Sequence, residues 1–264
     1  MKKILTIVLC AFCLLSWADN NIENCWEGKK VAFLGDSITD KNQLKIHKVY
    51  WGYLEDMLGI KPLVYGISGH RWEQIIGQAK KLKAEHGKDF SAIIIFVGTN
   101  DYNSSIPLGQ WYRLEEQPAA MPHNKTQIRK RRIFVKDNSV RGQINKTMQF
   151  LKENFPEKQI ILLTPIHRGW AKFSETNVQP DESFPNRIGL YIDDYVNVVK
   201  EAGNVWAVPV IDLNSLCGLS PNVPQQSFYF RDIKTDLLHP NGKGQLRMAK
   251  TLARQLLALP ADFE

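Results

Sequence analysis

Four short stretches hold residue types that together could attack a carbonyl group. They are Gly35-Asp36-Ser37, Gly66-Ile67-Ser68-Gly69, Gly98-Thr99-Asn100-Asp101 and Asp236-Leu237-Leu238-His239. A serine hydroxyl is a poor nucleophile until a neighbouring base takes its proton, and that base needs an acid to fix its tautomer. Ser37, His239 and Asp236 supply those three types. With Asp236 three residues before His239, a compact turn lets the carboxylate reach back to Nδ1 while Nε2 faces the serine. The same Asp-x-x-His-Pro run also reads as a helix start with Pro240 near the first helical position, and the two readings are compatible. The reaction further needs donors aimed at the developing oxyanion. Candidates are the backbone N–H groups of Ser37 and Gly69 and the side chain of Asn100. Gly69 suits the role because glycine allows close backbone approach. Taken singly, Gly69 is a turn glycine and Asn100-Asp101 is ordinary loop material after a strand.

Something must bring these stretches to one place. Apolar runs at Val31–Leu34, Leu63–Tyr65, Ala92–Val97, Gln159–Leu163 and Ala207–Ile211 read as strands. Between them lie segments of helical periodicity. Tyr50, Leu54 and Leu58 mark the first; Trp72, Ile75, Ile76, Ala79 and Leu82 the second. Val140, Ile144, Met148, Leu151 and Phe155 mark the third, and Ile188, Tyr191, Ile192, Tyr195 and Val199 the fourth. Leu246, Ala249, Leu252 and Leu256 close the chain. Strand alternating with helix five times predicts a five-stranded parallel sheet with helices on both faces, an α/β fold in three layers. In such a sheet the loops after the strands emerge at one edge, where ligands bind. Ser37 follows the first strand, Gly66–Gly69 the second and Gly98–Asp101 the third, while Asp236–His239 precedes the last helix.

In this order the four stretches resemble the sequence blocks of the GDSL/SGNH hydrolases. The resemblance spans roughly residues 30–250 and implies a flavodoxin-like α/β/α sandwich. It implies Ser37 as nucleophile, His239 and Asp236 as base and acid, and an oxyanion hole of Ser37, Gly69 and Asn100. It implies neither metal nor cofactor. The sequence has no His-Glu-x-x-His cluster, nor the Gly-x-Ser-x-Gly elbow of the α/β-hydrolases. Two departures stand out. The first block reads Gly-Asp-Ser-Ile rather than Gly-Asp-Ser-Leu, which touches no reacting group. The second has Val64 and Tyr65 where the family often places an asparagine.

The chain of 264 residues, 44% of them apolar, can bury a sizeable core and is expected to form one domain over residues 19–264. Residues 1–18 read as a secretory signal peptide: a basic start at Lys2 and Lys3, an apolar run from Ile4 to Leu15, and cleavage after Ala18. The run is shorter than the roughly 20 residues a membrane span needs. The expected protein is therefore secreted or periplasmic, without stable membrane insertion. Cys10 and Cys13 leave with the leader. Cys25 and Cys217 remain, and since they begin at opposite ends of the sheet, topology argues against a bridge. The formal charge of +7 is mild and comes with no nucleic-acid-binding signature, so no nucleic-acid partner is expected.

The expected substrate is a small-molecule or glycan ester. Exported members of the resembled family commonly deacetylate carbohydrate, and no long amphipathic lid is visible. The alternatives are a lysophospholipase or thioesterase of the same fold, or a carbohydrate-binding protein without turnover. Candidate substrate contacts are His70 beside Gly69, His167 and Arg168 after the fourth strand, and Trp111. Trp111 lies in a long insertion over about 102–138 that also carries Tyr112, His123 and the basic run Arg129–Arg132. That insertion reads either as a wall of the pocket or as a solvated surface. Asn103, Asn124 and Asn145 match glycosylation acceptor motifs.

Overall fold

A computed structural model describes residues 24–263. The expected leader and its cysteines lie outside the described residues. The central sheet consists of β1 (Lys30–Gly35), β2 (Lys61–Val64), β3 (Ala92–Phe96), β6 (Gln159–Leu163) and β9 (Val210–Ile211). All its pairings are parallel, in the order β2-β1-β3-β6-β9. That is the doubly wound, flavodoxin-like order. Between these strands run α1 (Tyr50–Leu58), α2 (Trp72–His86), the short α3 (Thr99–Asn103), a hairpin of β4 (Tyr112–Met121) and β5 (Lys125–Phe134), α4 (Val140–Asn154), the short strands β7 (Ala171–Lys172) and β8 (Val178–Gln179), and α5 (Ile192–Trp206). After β9 come α6 (Leu213–Leu216), β10 (Phe230–Asp232), β11 (Asp236–Pro240) and α7 (Gly242–Leu256).

The period-two alternation of β1 explains the layers. Val31 and Phe33 face one side and pack with Tyr50, Leu54 and Leu58 of α1 and Met248, Leu252 and Leu256 of α7. Ala32 and Leu34 face the other side, with Ile75 and Leu82 of α2, Ile144 and Met148 of α4, and Val196 and Val199 of α5. Central β3 is apolar throughout because both its faces are covered. Burying each of its large aliphatic side chains contributes about 1.5–3 kcal/mol.

The strands and helices follow the sequence pattern, with three local differences. The fourth helix starts at Ile192, with the Asp194 carboxylate accepting from the Tyr191 N–H; Ile188 lies before it and is exposed. The fifth strand pairs only over Val210–Ile211, because Ala207 takes a left-handed φ of 51° to end α5. The insertion is built largely as an antiparallel hairpin of two ten-residue strands. Asn145 is fully buried and donates to the Trp111 and Val135 carbonyls, so it is no glycan acceptor in the folded chain. Cys25 and Cys217 are both free thiols.

Candidate active site

Ser37 stands on the turn that β1 delivers to the carboxyl edge of the sheet. Gly35, the last residue of β1, has no room for a side chain: a Cβ there would sit 2.5 Å from both the Phe96 carbonyl oxygen and Thr39 Oγ1. Gln78 of α2 brackets the same residue, accepting from the Gly35 N–H (2.9 Å) and donating to its carbonyl (2.8 Å). From α1, Tyr50 OH meets Thr39 Oγ1 at 3.0 Å and the Trp51 indole donates to the Thr39 carbonyl at 2.9 Å. Both flanking layers thus fix the turn that carries Ser37.

His239 and Asp236 arrive on β11. This strand pairs with β10 at its two ends, with a register shift between them. Within the irregular stretch Asp236 Oδ1 accepts from the backbone N–H groups of Leu238 (3.2 Å) and His239 (3.0 Å). His239 Nδ1 lies 3.0 Å from both carboxylate oxygens, and His239 Nε2 lies 2.8 Å from Ser37 Oγ. The carboxylate fixes the proton on Nδ1, which leaves the Nε2 lone pair to take the serine proton. Asn241, rather than Asp236, caps the following helix by accepting from Lys243 and Gly244. The helix start and the Asp-x-x-His turn are adjacent and separate.

Burial works against ionisation of Asp236. The hydrogen bonds from His239 and the positive charges of His239 and Arg231 outweigh it and hold the carboxyl below the usual range. Arg231 Nη1 is 3.6 Å from Asp236 Oδ2, and Nη2 donates to Gln43. Burial and the positive charges of Arg231 and His239 depress the basicity of His47, whose two ring nitrogens are buried.

The oxyanion candidates come from two further turns. Gly69 has φ +81°, in the region that favours glycine, and a Cβ there would meet nothing within 4 Å. The position demands glycine for its dihedral angle rather than for the close approach expected. Asp40 anchors this turn, its Oδ2 accepting from the Ser68 N–H (3.0 Å) and hydroxyl (2.8 Å). Asn100, in the first turn of α3, donates through Nδ2 to the His70 carbonyl at 3.0 Å. Among the described residues no hydrogen bond from the Ser37 or Gly69 N–H to a protein acceptor is present. Two carboxyls lie beneath the site. Asp36 and Asp101 are each pushed up to about 7, mainly by burial.

The candidate substrate contacts separate. His70 adjoins Gly69; its Nδ1 accepts from Gln78, and the residue lines a cavity of about 460 Å³ with Val64, Ile67 and Ile76. His167 is half-buried and engages Glu182 through Nδ1 at 2.9 Å, which raises its basicity. Arg168 does not reach substrate: 1% exposed, it donates to Thr99 and Gln179 and lies over the Tyr102 ring. It braces the turn that carries Asn100. Trp111 is also elsewhere, bonded to Glu201 of α5 at 2.7 Å with Arg141 over its ring. The hairpin of the insertion is tied to α4 and α5 and does not wall the Ser37 site.

Asp40, Gln78, Arg231 and Phe173, whose ring stands edge-on 5.5 Å from that of His239, were not legible in the sequence. Asp40 alone had a signal, since it closes the first block at the N-cap of a 3-10 helix. Among the described residues no group of three or more His, Cys, Asp or Glu side chains is placed to hold a metal ion, and no helix is long and apolar enough to cross a membrane.

A flavodoxin-like sheet with this set gathered at its carboxyl edge is the architecture of a hydrolase. The GDSL-like lipase/acylhydrolase family model matches residues 33–247, and the chain belongs to that family. Two solved structures share the fold over nearly their whole length. One is a Lactobacillus plantarum protein, 24% identical, with 87% of this chain and 97% of that one covered at a TM-score of 0.63. Another, described as a possible lipase from Chitinophaga pinensis, is 20% identical, with 86% and 98% covered and a TM-score of 0.63. An acetyl xylan esterase from Geobacillus stearothermophilus is 20% identical over 89% and 97%, but its TM-score of 0.48 is too low to speak for substrate. No curated protein sequence matches the chain at a significant level.

Proposed function

We propose that the chain is an exported serine esterase that removes small acyl groups, acetyl foremost, from carbohydrate. Ser37 Oγ attacks the ester carbonyl carbon as His239 Nε2 takes its proton, and Asp236 steadies the imidazolium. The carbonyl oxygen, now negative, is met by the N–H groups of Ser37 and Gly69 and by the Asn100 amide. Collapse expels the alcohol, which takes the proton from His239, and leaves an acyl-serine. Water, deprotonated by His239, then attacks that ester and regenerates Ser37. The 2.8 Å contact between His239 Nε2 and Ser37 Oγ, with Asp236 on the far ring nitrogen, is the observation that carries the reading.

A hydroxyl-rich alcohol is favoured by a polar cleft of about 380 Å³ lined by Asn103, Ser105, Asn177, Asn186 and Arg187. Two of its residues are linked to the site through the chain: Asn103 ends the helix that carries Asn100, and the Asn177 carbonyl accepts from the N–H of Phe173, whose ring faces His239. The larger cavity behind Gly66–His70 has Val64, Ile67 and Ile76 in its walls and favours the second reading, a longer acyl chain. Hydrolysis rates for p-nitrophenyl esters of increasing chain length, beside acetate release from acetylated xylan, separate the two. Acetate preferred, with acetate freed from the glycan, supports the first reading. Octanoate preferred, with the glycan untouched, rejects it.

A further inference from the structure

The hairpin β4–β5 plays no part in the site. Its base is fixed: Phe134 stacks on Trp206 at 4.4 Å and Asn145 holds the Trp111 and Val135 carbonyls. From there two ten-residue strands run out about 30 Å. Every residue from Lys125 to Arg132 is exposed, and so are Arg113, Leu114, Glu116, Pro118 and Ala120 on the other strand. A lone two-stranded ribbon is only marginally stable in water.

Its charge indicates what it contacts. The ribbon carries six cations, Arg113, Lys125, Arg129, Lys130, Arg131 and Arg132, against two carboxylates, Glu115 and Glu116. The register sets Glu115 opposite Arg131 and Glu116 opposite Lys130, and Arg113 pairs with Glu115 at 2.7 Å; Arg131 donates to Gln117, Arg129 to Gln127, and Arg132 lies over the Tyr112 ring. Lys125, Arg129 and Arg132 stand opposite Met121, Gln117 and Leu114, with no carboxylate across the ribbon. Alternation along β5 sends Arg129 and Arg131 to one face and Lys130 and Arg132 to the other. Each face then carries two cations roughly 7 Å apart. Such a ribbon repels itself until an anion with repeated charges meets it.

We propose that β4–β5 is an arm that binds an acidic polysaccharide, its Arg and Lys side chains pairing with carboxylate or sulfate groups repeated along the sugar chain. A second copy of the arm is disfavoured because like charges would meet. A nucleic acid is disfavoured because no Phe, Tyr or Trp lies on the ribbon beyond Tyr112 and Phe134 to stack on bases. Tyr112 and Phe134 already pack on one another. The arm gives the carbohydrate-ester reading a substrate class, and its biological sense rests on that reading.

Binding is measured on Ser37→Ala protein so that turnover plays no part, with polygalacturonate as probe and dextran as the uncharged control. The arm predicts binding to polygalacturonate alone, weakening steeply as salt shortens the reach of the charges. Replacing Arg129, Arg131 and Arg132 together by Gln should weaken it by about tenfold or more, while replacement by Lys keeps most of it. The same Gln changes in the Ser37 background leave p-nitrophenyl acetate hydrolysis unchanged, a check on folding. Equal binding to dextran, unchanged affinity in the Gln variant, or tighter binding to a DNA duplex overturns the proposal. So does a dimer that the Gln changes, or Leu114→Ser with Ile128→Ser, convert to monomer. Inactive wild-type enzyme that still binds polygalacturonate through these arginines would reject the esterase reading and keep the arm.

Discussion

The Asn100 amide donates to the His70 carbonyl across 3.0 Å and so ties the turn after β3 to the turn after β2. Gly69, immediately before His70, is thus held beside the residue proposed to share the oxyanion hole with it. One N–H of the amide is used in this bond, and the other is left for an oxyanion. Asn100→Ala should therefore lower kcat by about 10²–10³ with little change in KM. A rise confined to KM would make Asn100 a binding residue and remove it from the oxyanion hole.

Arg231 backs the acid of the site at 3.6 Å, and its charge is one of the forces holding Asp236 below the usual carboxylate range. A depressed carboxyl contributes stability above its unfolded value, and that contribution is lost as pH falls through the folded value. Arg231→Gln raises the folded value, so the loss begins at higher pH. The acid side of the melting curve should move to higher pH, and Arg231→Lys should restore it. Melting curves that superimpose in wild type and Gln variant would show that the arginine only packs there.

Asp101 has the opposite sign. Burial, with the neighbouring Asp36 adding, pushes its carboxyl up to about 7, although the Trp72 N–H lies 3.3 and 3.2 Å from its two oxygens. Between the ordinary carboxylate value and about pH 7 the unfolded chain ionises this group and the native chain does not. Stability therefore falls as pH rises through that window and levels off above it. Asp101→Asn, which can still accept from Trp72, should flatten the fall of Tm between pH 4 and pH 7. Melts across that range are decided by the slope, and parallel curves for both proteins would refute the buried-acid assignment.

The frame of the fold was legible because both of its periodicities are strong. The β3 run Ala92–Phe96 is apolar throughout, and Val140–Asn154 repeats at helical steps, since each packs on neighbours that cover it. The hairpin was not legible for the reverse reason. With water on both faces, β4 and β5 have no apolar face to repeat, and Arg129–Arg132 gives no period-two signal. Ser37, Gly69 and Asn100 stood out because loops after parallel strands share an edge, and Asp236 with His239 because of their types and three-residue spacing. Arg168 misled for the same reason: position after β6 points to the edge, but side-chain direction decides, and this one turns inward to Gln179 on β8. Gln78 and Arg231 left no trace, since each acts by a contact between residues 43 and five positions apart that no spacing rule anticipates.

The central claim is that Ser37 is the nucleophile, and hydrolysis of p-nitrophenyl acetate by wild type and Ser37→Ala side by side tests it most directly. The account predicts turnover in the wild type and a fall of about 10⁴-fold or more in the variant, with the melting temperature little changed. A folded Ser37→Ala protein that hydrolyses the ester at the wild-type rate would contradict it.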